Sequence, residues 1–241
     1  MAVIKHEVRP PNGAYVFAFE LPRDLFPDGK DPVTLWQAIS SKTTSRPTLD
    51  ERFAMARCLI QTIGNLHSVD WLHKSLRSEN VIFGYHGDRQ DYEHPLVVGF
   101  EFSRDEKDRS TTERDDRLER NIYRHPDRQG PPEKRFNAIH DIYSLGVVLL
   151  EIGLWRLAVG FEQNYKSMEP EEIMRNLIEH AKDRLPHYMG NGYTRAVVAC
   201  LDGSLGAAKT QSSPGLSAAQ RLEINLALLE EVLDRIAWRG D

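Results

Sequence analysis

Apolar residues recur every third or fourth position between Leu49 and Val69. Phe53, Ala56, Ile60, Ile63 and Leu66 fall on one face there and predict an amphipathic helix. Thr48 and Glu51 place a capping box at its start. Asp141 to Ile152 (DIYSLGVVLLEI) is apolar nearly all round, the pattern of a buried central helix. Ala14 to Leu21 (AYVFAFEL) alternates partly and is rich in β-formers, so it predicts a strand. Val81-Ile82-Phe83 and Leu96-Val97-Val98 flank a charged, turn-like stretch and predict a small hairpin. Asp31-Pro32 offers an N-cap and a first-turn proline for a short helix through Ile39. Glu169-Pro170 opens another to about Lys182, Tyr193 to Leu201 forms a further one, and Ser217 with Gln220 caps a last helix to about Ala237. Residues 1–13, with Pro10, Pro11 and Gly13, are expected to be a flexible N-terminal segment. Residues 104–120 hold 13 charged residues of both signs and cannot bury themselves. The fold class is α+β, mostly α, with the strands in the first 100 residues.

Length and charge narrow the function. The chain has 241 residues, enough for a substantial core. A net charge of −5 and a pI near 6 give no reason to expect a nucleic-acid partner. No apolar run reaches membrane-spanning length and the N-terminus lacks a signal core, so no membrane partner and a cytoplasmic location are expected. Cys58 and Cys200 read as free thiols of an intracellular protein. No C-x-x-C or H-E-x-x-H occurs, and neither a metal nor another cofactor is expected.

The most informative stretch is Leu72 to Asn80 (LHKSLRSEN). It resembles the catalytic loop of protein kinases, H-R-D-L-K-x-x-N. His73 and Asn80 match, and Lys74 and Arg77 are conservative replacements, but Ser75 stands where the catalytic Asp belongs. Further landmarks follow in order. Gly99-Phe100-Glu101-Phe102-Ser103-Arg104 lies at the D-F-G-x-x-R position, His125-Pro126-Asp127 at A-P-E, and Asp141 to Gly146 at D-x-W-S-x-G. The resemblance spans about residues 14–237 and implies a protein-kinase-like C-terminal lobe, residues 14–241, without an N-lobe. LHKSLRSENVIF, GFEFSR, YRHPDRQG and HDIYSLGVVLLEIGLW are also similar to kinase-like domains of fungal heterokaryon-incompatibility proteins, often joined to a HeLo cell-death domain. That narrower likeness implies a fungal signalling context.

Set against the resemblance, chemistry is lost and scaffold is kept. Phosphoryl transfer needs a carboxylate to orient the hydroxyl, metal-binding Asp and Asn, a phosphate-binding Lys and a glycine-rich cover. Here the degenerate positions are Ser75 and Gly99, and the vestigial loop residues are His73, Arg77 and Asn80. His73, Phe100 and Asp141 fill positions that the resemblance assigns to the structural spine, with Asp141 expected to accept backbone N–H groups of the 73–75 loop. Ser75 reads as a loop-structural serine rather than a nucleophile, and Asn80 as a loop brace rather than a metal ligand. Glu101 as a cation ligand, and phosphorylation of Ser110, Thr111 or Thr112, are the sharper alternatives to a solvated segment. The expected function is a catalytically inactive pseudokinase module with a regulatory or protein-interaction role. Its partner is expected to be another protein or a second copy, bound through the N-lobe-facing surface near Phe17, Phe19 and Ile82. The alternative is an unconventional ATP-dependent transferase completed by an N-lobe outside the chain.

Overall fold

The computed structural model describes residues 3–8, 16–20, 23–27, 30–43, 45–100, 104–105, 117–129, 136–204 and 230–236, with 3–8, 16–20 and 104–105 as backbone alone. β1 (Val3–Val8) pairs antiparallel with β2 (Val16–Glu20), Val3 opposite Glu20 and Val8 opposite Val16. A strand at Val3–Val8 departs from the flexible segment expected over 1–13. The prolines and Gly13 behind that expectation fall between the two strands, whereas V-I-K-H-E-V itself is rich in β-branched residues.

β3 (Val33–Thr34), β5 (Val81–Phe83) and β8 (Leu96–Val97) form a three-stranded antiparallel sheet with β5 in the middle. Val81, Ile82 and Phe83 are all buried, so Ile82, which the sequence places near a partner-binding surface, is already covered within the chain. The short helix after Asp31-Pro32 starts later than its sequence signal. Val33 and Thr34 are drawn into the ladder opposite Phe83 and Ile82, and Thr34 with Gln37 then builds the capping box of α1 (Leu35–Ser40). β6 (Tyr85–His86) and β7 (Arg89–Gln90) add a small hairpin.

The helices carry the core. α2 (Leu49–Ser68) begins at the Thr48–Glu51 capping box and buries Phe53, Ala56, Ile60 and Ile63. β4 (Trp71–Leu72) follows and pairs with β9 (Arg104–Asp105). After the one-turn α3 (Leu118–Asn121) comes α4 (Ala138–Leu154), whose residues from Ala138 to Gly153 are buried save Ile139. α5 (Pro170–Asp202) lies against it and runs on past the expected end near Lys182, through Pro186, to a break at Gly190 (φ 77°). Its second half contains the helix expected at Tyr193–Leu201. Residues 230–236 are helical and bury Val232 and Ile236; the cap expected at Ser217 lies outside the described residues.

α4 and α5 approach closely because α4 carries glycine at the crossing. A Cβ on Gly146 would sit 2.8 Å from Cys200 Cβ, and one on Gly153 would sit 2.5 Å from Leu185 Cδ2. Tyr193 locks the same region: its hydroxyl donates to the Leu149 carbonyl at 2.7 Å and its ring meets Phe53 of α2 edge-on. Among the described residues no helix is long and apolar enough to cross a membrane.

Candidate functional site

The 73–80 loop hangs on one buried carboxylate. Asp141, fully buried in the first turn of α4, accepts the His73 N–H at 2.8 Å through Oδ2 and the Lys74 N–H at 2.9 Å through Oδ1. His67 Nε2 approaches Oδ2 at 3.2 Å from the end of α2. Burial alone raises this carboxyl, but the His67 hydrogen bond, the nearby His67 and His73 rings and the Lys74 N–H outweigh it and hold Asp141 below the ordinary range. The anchor also supports strain, since Lys74 has φ 66° without being glycine.

His73 is wholly buried and spent on structure. Its Nδ1 accepts the Ser75 N–H at 3.3 Å, which leaves Nε2 to carry the proton and donate to the Val98 carbonyl at 3.1 Å. Its ring meets Phe100 at 4.8 Å between centroids. His73, Phe100 and Asp141 are thus brought together, although Phe100 keeps one exposed face.

The residues at the chemical positions hold each other. Asn80 Nδ2 donates to the Ser75 carbonyl at 2.7 Å and lies 3.2 Å from Ser75 Oγ. Arg77 reaches the same hydroxyl at 3.4 Å, and its Nε lies 3.5 Å from Glu79. Both side-chain neighbours of Ser75 Oγ are donors, and neither can take its proton as a nucleophile's base must. Gly99 has φ 87°, and a Cβ there would sit 2.3 Å from Asn80 Nδ2. The site therefore has no room for a side chain at position 99 while Asn80 braces the loop. Glu101, Ser110, Thr111 and Thr112 lie outside the described residues, as do the side chains of Phe17 and Phe19.

Two groupings escaped the sequence. Ligand atoms of His125, Asp127 and His140 gather within 4.8 Å of one another. The donor set does not suit a metal. His140 Nδ1 accepts the Asn137 N–H at 2.9 Å and His125 Nδ1 accepts the Asp127 N–H at 3.2 Å, so those lone pairs are already used in capping. The other nitrogen of the neutral His140 ring then bears hydrogen. Burial, with the His125 and Arg128 charges, pushes His140 down to about 3 and keeps it neutral. The other grouping joins Glu151, Ser78 and Tyr123 in the core. A carboxylate in the apolar run of residues 147–152 was its visible signal.

Comparison with known proteins fits this geometry. Residues 20–237 match the family described as Domain of unknown function (DUF7580), and the chain belongs to that family. No curated protein matches it. A solved structure of the Cydia pomonella granulovirus kinase PK-1 is similar in fold, with a TM-score of 0.55 and 17% identity over 83% of this chain and 67% of that one. The fold is kinase-like.

Proposed function

We propose that this chain is a pseudokinase module, equivalent to a kinase C-terminal lobe, that regulates or binds other proteins and transfers no phosphoryl group. The observation that carries the reading is the pairing of Gly99 with Asn80. At the position where a kinase holds its metal-binding carboxylate, a Cβ would collide with Asn80 at 2.3 Å. The Asn80 amide, the remaining metal-ligand position, is turned onto the Ser75 backbone. A divalent cation with triphosphate needs several oxygen ligands at close, fixed distances, and the loop offers a brace instead. Ser75 supplies no carboxylate for the substrate hydroxyl.

The partner we propose is a protein or a second copy of the chain. Exposed Trp36, Trp71 and Phe100 support contact with protein rather than with nucleic acid. A fungal signalling role, in the cytoplasm, rests on the sequence likeness to heterokaryon-incompatibility domains. The reading is tested by incubating the chain, with any sequence that precedes it in its natural protein, with labelled Mg-ATP. Neither the wild type nor the S75D/G99D double variant is expected to incorporate label. Incorporation by the wild type, removed by N80A, would establish the transferase instead.

A further inference from the structure

The core of the loop region contains a hydrogen-bonded ring whose proton count can be read from its geometry. Glu151 Oε2 contacts Ser78 Oγ, Ser78 Oγ lies 2.6 Å from Tyr123 Oη, and Tyr123 Oη lies 2.8 Å from Glu151 Oε1. All three residues are buried, Glu151 and Ser78 completely. Oε1 also accepts the Ala158 backbone N–H at 2.8 Å. If Glu151 were ionised, the two hydroxyls would supply two protons to three oxygen–oxygen contacts. One contact would then be a pair of lone pairs facing each other in a site without solvent. A protonated Glu151 supplies the third proton. Its Oε2–H donates to Ser78, Ser78 donates to Tyr123, and Tyr123 donates back to Oε1.

We infer that Glu151 is held as a neutral carboxylic acid, and that the closed ring is a proton-dependent clamp joining the 73–80 loop to the 117–129 segment across α4. The clamp joins four parts of the fold. Ser78 belongs to the turn that ends the loop, Tyr123 lies just before His125-Pro126-Asp127, Glu151 sits in the last turn of α4, and Ala158 lies in the connection to α5. Ionisation removes one proton from the ring and opens the Ser78–Tyr123 contact, the one that ties loop to segment directly.

The electrostatics agree. Burial pushes Glu151 up to about 7 against the lowering hydrogen bonds from Ser78, Ala158 and Tyr123, with the Glu79 charge adding to the rise. Glu79 faces it from the loop, with Arg77 at 3.5 Å beyond; Tyr123 faces it from the segment, itself pushed well above its ordinary value by burial and by Glu151. From the connection after α4 the neighbour is an uncharged backbone N–H. A carboxyl raised on folding contributes stability that is complete below its ordinary value of 4.5 and lost as pH rises through about 7. The clamp closes on the acid side of neutrality and loosens on the alkaline side.

The test uses the whole chain and infrared difference spectra between pH 6 and pH 8.5. A protonated-carboxyl stretch is expected at pH 6, where ordinary carboxylates are ionised, and it should vanish through about pH 7. E151Q should lack that band and keep the fold, since an amide supplies both a donor to Ser78 and an acceptor for Tyr123. The wild-type unfolding constant should rise about tenfold per pH unit relative to E151Q between about 4.5 and about 7. Should E151Q fail to fold, Y123F assigns the band instead, by raising its frequency when Oε1 loses the tyrosine donor. Absence of the band at pH 6, or a band indifferent to both E151Q and Y123F, overturns the inference.

Discussion

Asp141 gathers His67, His73 and Lys74 around one carboxylate. Replacing it with Ala strands these buried donors, each at about 1–3 kcal/mol. D141A should therefore lose at least about 3 kcal/mol in urea unfolding at neutral pH. Because the carboxyl is held low, its contribution is full above the ordinary value of 3.8 and disappears as pH falls through its lower folded-state value. The gap between D141A and the wild type should accordingly narrow in strong acid. Position 99 gives a second residue-scale expectation. Any side chain there meets Asn80 at a φ of 87°, a backbone conformation worth roughly 1–3 kcal/mol of strain to a non-glycine residue. G99D should lower the denaturation midpoint rather than restore a metal site, while G99D/N80A, which removes the colliding amide, should recover part of the loss. At this scale the sequence was legible where a motif marks a position: His73, Ser75 and Asn80 lie in one loop, which Asp141 anchors from α4. It was not legible for Glu151, Ser78 and Tyr123, because their meeting depends on distances between elements 28 to 73 residues apart.

Elements were readable where a local device sets them. The Thr48–Glu51 box starts α2 as its spacing implies. Where a tertiary contact competes, the local signal yields. Ladder pairing of Val33 and Thr34 with β5 moves the start of α1 beyond Asp31-Pro32, and packing against α4 carries α5 through Pro186. The glycines of α4 were present in the sequence, but their purpose appears only in the helix crossing. The crossing yields a graded prediction. At Gly146 the obstacle is Cys200 Cβ, fixed to the backbone; at Gly153 it is Leu185 Cδ2, the end of a side chain that can rotate. G146A should cost about 1–3 kcal/mol. G153A should cost less, because a leucine rotamer change relieves it and alanine gains about 1 kcal/mol of helix propensity over glycine. Chemical denaturation of the two variants side by side checks the order, and an equal or reversed order would mean that the helices do not approach at these glycines as described.

At the scale of the molecule, the order of kinase landmarks along the chain corresponds to one assembled scaffold. The α2 helix leads into the Asp141-anchored loop, β5 and β8 follow, and α4 stands at the centre with α5 against it. The loop groups brace one another: Ser75 with Asn80 and Arg77, and Arg77 with Glu79. The most direct measurement is thermal unfolding during a titration with Mg-ATP, run with and without magnesium and with any natural preceding sequence included. A ligand at one hundred times its dissociation constant stabilises a folded protein by about 2.7 kcal/mol. The account predicts no magnesium-dependent shift in midpoint up to millimolar nucleotide. A saturable, magnesium-dependent rise that N80A abolishes would contradict it.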